Sequence, residues 1–262
     1  MPPAIEISYS LHSIQGAGQI PLVLIHGAGG NHLYWPPEIR RLSGYRVYAL
    51  DLPGHGKTLG AGRRSISAYM EAVATWMDQI GTDRAVFAGH SMGSAIALSL
   101  ALEHPQRVLG LILLGAGARL RVHPDILTGI ADQSKFYNTV RMIVDWNFAP
   151  QAPPRLVDLA RQRIAKTQPA VLLGDLMACD GFDVISRLGE IDCPVLVICA
   201  EEDRMTPMRS AQYLADHIKG ARIEMIQGAG HMVMLEKPQE VRNYMLGFLR
   251  TISDGGSGQA EL

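Results

Sequence analysis

Short, almost unbroken apolar runs constrain what this chain can fold into. Leu22-Val23-Leu24-Ile25, Arg46-Val47-Tyr48-Ala49-Leu50, Ala85-Val86-Phe87-Ala88, Val108 to Leu114 and Cys193 to Ala200 are each flanked by glycine, proline or polar residues. Arg222-Ile223-Glu224-Met225-Ile226 is a less apolar run of the same kind. Runs of that length and setting suit strands buried on both faces. Helical spacing separates the first four: Tyr34 to Leu42, Ser67 to Ile80 with Glu71 behind Ser67 as a start signal, and Ser94 to Glu103, stopped by His104-Pro105. Strand alternating with helix predicts a parallel sheet covered on both sides. Ile5 to His12 adds one or two early strands, and Gln15-Gly16-Ala17-Gly18 reads as a turn.

The rhythm breaks after Gly117. From Ala118 to Gly189 no strand pattern occurs; helical patches near 123–133, 135–146, 153–166 and 169–178 are punctuated by Pro150, Pro153, Pro154 and Pro169. A segment of that length exceeds a single crossover, so it is expected to form a helical cap inserted into the core. The strand rhythm resumes at Cys193, with helices expected over Met208 to Ile218 and from about Pro238 to Thr251. The fold class is therefore α/β: a mostly parallel central sheet flanked by helices, with residues 1–117 and 190–252 as core, 118–189 as cap, and the Gly/Ser-rich 253–262 as a flexible tail.

Composition narrows the partners. The chain has 262 residues, 47% of them hydrophobic, enough for a sizeable core. Its net charge is -1 with no block of like charges, which speaks against a nucleic-acid or anionic-membrane partner. No apolar stretch reaches the roughly 18 residues of a membrane span. The start, Met1-Pro2-Pro3-Ala4-Ile5-Glu6, has neither the basic nor the apolar region of a secretion signal. Cys179, Cys193 and Cys199 form an odd set without C-x-x-C spacing. A cytoplasmic protein, monomer or homodimer, is expected, with Cys199 a buried core thiol.

Chemistry collects where the strands end, the place at which open parallel sheets bind ligands. Gly89-His90-Ser91-Met92-Gly93 lies between the apolar run 85–88 and a helix, the setting in which G-x-S-x-G lifts a serine out of the sheet. A serine needs a base, and the base an orienting acid, to act as a nucleophile at neutral pH. His231, in Gly228-Ala229-Gly230-His231-Met232 after the last strand, is the best base; Asp203, after the strand before it, is the best acid. Glu201, Glu202 and Asp51 are the rival acids, while His26, His55 and His90 read as loop or support residues. An oxyanion needs two aligned N–H donors. The amides of Met92 and of Ala28, in Gly27-Ala28-Gly29-Gly30, are the candidates.

These pieces resemble those of the α/β-hydrolase fold, serine esterase/lipase type with a helical cap. The matching residues are His26-Gly27-Ala28-Gly29-Gly30, Asp51-Leu52-Pro53-Gly54-His55-Gly56, Gly89-His90-Ser91-Met92-Gly93, Asp203 before Pro207, and Gly230-His231. The resemblance implies a Ser91–Asp203–His231 triad and hydrolysis of a small-molecule carboxylic ester of small to medium acyl chain. A carbon–carbon bond hydrolase or lactonase of aromatic breakdown, or a non-catalytic ligand receptor, are the alternatives. No metal and no organic cofactor is implied, since H-E-x-x-H, zinc spacings and dinucleotide fingerprints are missing. An apolar substrate pocket is expected from Leu33, Phe136, Met142, Trp146, Met205 and Met232. Arg119, Arg121, Arg141 and Arg204 are available to anchor an acidic substrate.

Overall fold

The computed structural model describes residues 7–12 and 20–256. The turn expected at 15–18 lies outside them. Seven strands form one sheet in the order β1-β3-β2-β4-β5-β6-β7. They are β1 (Tyr9–His12), β2 (Pro21–Ile25), β3 (Arg46–Leu50), β4 (Ala85–His90), β5 (Val108–Leu114), β6 (Val195–Ala200) and β7 (Arg222–Ile226). Only β1 runs antiparallel, pairing Tyr9 with Leu50; every other pairing is parallel.

The helices are α1 (Pro37–Arg40), α2 (Ile66–Gln79), α3 (Met92–Glu103), α4 (Pro124–Ala131), α5 (Phe136–Asn147), α6 (Pro154–Ile164), α7 (Pro169–Asp180), α8 (Met208–His217), α9 (Val233–Glu236) and α10 (Pro238–Gly256). Side chains alternate across a strand, so each apolar run feeds two cores. Val23 and Ile25 join Phe87, Leu111 and Leu113 under α2, α3 and α8. Leu22 and Leu24 join Val86, Ala88, Ile112 and Leu114 against α1 and α10. Fully burying each such side chain stabilises by about 1.5–3 kcal/mol, so all five apolar runs had to be continuous. Helix α3 is apolar or small on every side because it lies between the sheet and both α2 and α7.

Several boundaries differ from the sequence expectation. Helix α2 starts at Ile66, capped by Ser65, whose Oγ accepts from Ala68 N–H; the earlier serine wins because it leaves the hydroxyl free to cap. The 34–42 helix resolves into a 3-10 turn, His32–Tyr34, and the short α1, because Pro36 and Pro37 supply no amide to join them. Helix α10 continues to Gly256, past the expected boundary at 252, with Ser253 Oγ bonded back to Leu249 O. Residues 257–262, the rest of the expected tail, lie outside those described.

Between β5 and β6 stand α4 to α7 and a 3-10 turn, Ile185–Glu190, with no named strand. The segment is closed at its base, where Val184 N–H donates to Ala118 O and Arg119 bridges Asp183 in antiparallel fashion. Among the described residues no helix is long and apolar enough to cross a membrane.

Candidate active site

Strand β4 ends at His90, and α3 begins at Met92, so Ser91 alone turns the chain. It is the one non-glycine residue with positive φ among those described, at φ 54 and ψ -116. Such a conformation costs of order 1–3 kcal/mol and persists where the surroundings impose it. Here Gly89 and Gly93 allow it: a Cβ on Gly89 would overlap the Gly93 carbonyl, and one on Gly93 would overlap the carbonyl of Ile25. Ser91 N–H is held by Leu114 O, and the Ser94 hydroxyl donates to Ser91 O.

Asp203 and His231 arrive from the neighbouring strand ends. His231 Nδ1 lies 2.8 Å from Asp203 Oδ2, and both side chains are buried. Three further donors fix the carboxylate: Met205 N–H and Thr206 N–H on Oδ1, each at 2.8 Å, and the Thr206 hydroxyl on Oδ2 at 2.7 Å. Burial pushes the Asp203 carboxyl up. The adjacent His231 and the Thr206 donors outweigh that and hold it below the usual carboxylate range. With Nδ1 donating to Asp203, the Nε2 lone pair of His231 is left for the cavity. The histidine loop is itself braced. Glu236 accepts from Gly230 N–H and Ala149 N–H, and Met232 N–H donates to Asn147 O at the end of α5.

Ser91 and His231 line one cavity of about 310 Å3. Ala28, Met205 and Met232 line it too; Met92 is wholly buried behind it. Among the described residues Ala28 N–H donates to no protein acceptor, and Met92 opens α3, where first-turn amides have no intrahelical partner.

Four of the expected pocket residues do not line it. On α5 the cavity meets Ile143 and Asn147, one turn apart on the same face. Met142 and Trp146 each precede one of these by a residue, about 100° away around the helix, and Trp146 packs edge-on against His123 instead. Phe136 shares the face but lies two turns back, about 10 Å along the axis, and is buried in the core. Leu33 is 38% exposed, and its neighbour Tyr34 faces the cavity.

His26, His32, His90 and Asp51 serve as supports. Asp51 accepts from His32 N–H, His32 Nδ1 and Lys57 N–H. His26 Nε2 accepts from Leu52 N–H, while Nδ1–H donates to Gly27 O. His90 Nε2–H donates to His231 O. Burial, with a second histidine beside each, pushes His26 and His90 down to about 3.

Two groups were not anticipated. Thr206 is the first, legible as Asp-x-x-Thr with the acid capping the following turn. Asp175 on α7 is the second. Completely buried, it accepts from Gly29 N–H at 2.8 Å, from the Tyr69 hydroxyl, and meets His55 Nε2 at 2.8 Å. His55 Nδ1–H donates to Pro53 O. Burial opposes a charge on His55, but Asp175 and these hydrogen bonds together raise its pKa. A lone acid in the run Val171-Leu172-Leu173-Gly174-Asp175-Leu176 was the available signal.

Comparison with known proteins bears on the fold and on the hydrolase class. A pimeloyl-[acyl-carrier protein] methyl ester esterase from Neisseria meningitidis is 31% identical, over 81% of this chain and 86% of its own length. A 2-hydroxy-6-oxo-6-phenylhexa-2,4-dienoate hydrolase from Comamonas testosteroni is 30% identical, over 87% of each chain. The solved structure of Est816, described as an N-acyl homoserine lactone degrading enzyme, superposes with a TM-score of 0.81 at 25% identity, over 95% of this chain and 98% of its own. Residues 20–238, from the edge of β2 to the start of α10, match the sequence model of the alpha/beta hydrolase fold, and the chain belongs to that family of hydrolases.

Proposed function

We propose that the protein is a serine hydrolase of carboxylic esters with small to medium acyl chains. One observation carries the reading: His231 is bonded to buried Asp203 and opens on the same cavity as Ser91, which is held in a strained turn. His231 Nε2 takes the Ser91 proton as Oγ attacks the ester carbon. Asp203 holds the ring in the tautomer that leaves Nε2 free and balances the imidazolium charge. The Ala28 and Met92 amides receive the oxyanion. The alcohol leaves with the proton from His231, which then activates water to release the acid.

In this reading the 118–189 segment acts as a cap. Ile143, Ile164, Leu172 and Leu176 from it supply apolar lining, which suits an acyl chain. The Neisseria relative, named for methyl ester cleavage, supports the ester assignment. A lactone is a cyclic ester and would follow the same steps.

The test is hydrolysis of p-nitrophenyl acetate and butyrate with fluorophosphonate labelling. Ser91→Ala should abolish labelling and lower kcat by about 10^6-fold. Asp203→Asn should lower it by about 10^4-fold. Equal rates for Ser91→Ala and the parent protein would sink the serine mechanism.

A further inference from the structure

The cavity shared by Ser91 and His231 has a one-sided charge. Arg119, Arg121, Arg204 and Arg209 line it, and no aspartate or glutamate does. All four arginines are exposed, so they form its outer part. They converge from two strand ends: Arg119 and Arg121 follow β5, Arg204 and Arg209 follow β6, and β5 and β6 are hydrogen-bonded neighbours.

Neutralisation there is incomplete. Arg119 is paired with Asp183. Arg121 donates to the main-chain carbonyl of Asp180 and shares the Coulombic influence of Asp183 with Arg119, so one carboxylate stands against two guanidinium groups. Arg204 and Arg209 have neither a hydrogen-bond nor an ion-pair partner among the described residues. Arg107, by contrast, is paired with Asp78, Arg161 with Asp158, and Arg187 with both Glu103 and Glu190. The chain as a whole carries a net charge of -1. Against that balance, four arginines and no carboxylate on one cavity make a local cationic cluster, at the mouth of a cleft whose apolar walls strengthen the field.

We propose that this mouth is an anion subsite, and that the preferred substrates are esters bearing a second, charged oxygen group, a carboxylate or a phosphate, distal to the scissile carbonyl. This deepens the ester-hydrolase reading and rests on it. The ester would sit at Ser91, the chain along Ile143, Leu172 and Leu176, and the anion between Arg121, Arg204 and Arg209. Guanidinium forks match both carboxylate and phosphate geometry.

The experiment compares kcat/KM for monomethyl glutarate, its neutral terminal amide and methyl 4-phosphonobutyrate. The charged-to-neutral ratio should be about tenfold, as expected for charge-assisted hydrogen bonds. It should fall towards one in Arg204→Gln/Arg209→Gln and with rising salt, and stay unchanged in Arg242→Gln on α10. The better of the two charged esters identifies carboxylate or phosphate as the anion. A ratio near one in the parent protein, or one untouched by the double substitution, overturns the subsite. Calorimetry on Ser91→Ala keeps the two readings apart. Tighter binding of the half-ester than of the amide, with no ester turned over by the parent protein, removes the hydrolase reading and keeps the subsite. Turnover of neutral esters with equal binding of the pair removes the subsite and keeps the hydrolase reading.

Discussion

Asp175 Oδ2 accepts the Gly29 amide at 2.8 Å, which ties α7 to the loop carrying Ala28. Thr167 reinforces the tie by donating to Gly29 O. The segment between β5 and β6 thus holds the proposed oxyanion loop at both polar groups of one residue. Asp175→Asn swaps an acceptor oxygen for an amide that cannot serve all three donors. Loss of one partner from a buried charged pair costs about 3–5 kcal/mol, so the urea midpoint should fall markedly. A displacement of the loop by 1 Å should lower kcat by up to about 10^2-fold with KM little changed. A destabilised variant with full kcat would show that Asp175 serves stability alone.

Gly115 follows β5 at φ 54, where a Cβ would lie 2.8 Å from His231 Cε1 and 2.9 Å from Nδ1. The ring is held by Asp203, so it cannot move without losing that bond. Gly115→Ala should therefore cost more than about 1 kcal/mol of stability, as alanine does at positive φ. Its kcat for p-nitrophenyl butyrate should drop by at least about tenfold through the displaced base. Steady-state kinetics well below the melting temperature would separate the two losses.

Most of this architecture could be read from residue patterns because strands buried on both faces must be continuously apolar, and because turns at strand ends need glycine. Ser91, Asp203 and His231 sit at such ends, so their convergence followed from strand order. The pocket was less legible. Trp146 and Ile143 lie on one helix, and their hydrophobicity gives no hint that Ile143 faces the cavity and Trp146 faces His123. That choice depends on how α5 is rotated against its neighbours, a tertiary matter. Asp175 escaped for another reason: its partners Gly29, His55 and Tyr69 lie on other elements and meet it only on folding, whereas Thr206 was legible in the local Asp-x-x-Thr spacing.

Acid should destabilise the protein before its carboxylates are titrated. His26 and His90 are held neutral in the folded state down to about 3, whereas an unfolded histidine titrates near 6.5. Below about 6.5 the unfolded chain binds more protons, so stability falls with pH by about 1.4 kcal/mol per unit for each histidine. His55 behaves oppositely. Its pKa is raised on folding, so its contribution is complete below the unfolded value and fades as pH rises through the folded one. Urea titrations between pH 4 and 8 check this; His90→Gln should flatten the acid slope by about half. A slope unchanged by that substitution would exclude His90 as a source.

Thr206 donates to Asp203 Oδ2 at 2.7 Å, and its Oγ1 lies 3.3 Å from His231 Nδ1, so one hydroxyl touches both members of the acid–base pair. Thr206→Val keeps the shape and deletes the donor. Asp203 is depressed on folding partly through this bond, so its carboxyl should protonate at higher pH in the variant. A depressed acid contributes stability above its unfolded pKa and loses it as pH falls through the folded value. The variant should accordingly lose about 1.5–3 kcal/mol at neutral pH and lose activity earlier on acidification. Its kcat should fall, because the hydroxyl meets the histidine on its Asp203 side. Thr206→Ser, which restores the hydroxyl without the methyl group, should recover the pH profile. If valine and serine variants share one profile, the hydroxyl has no part in orienting His231.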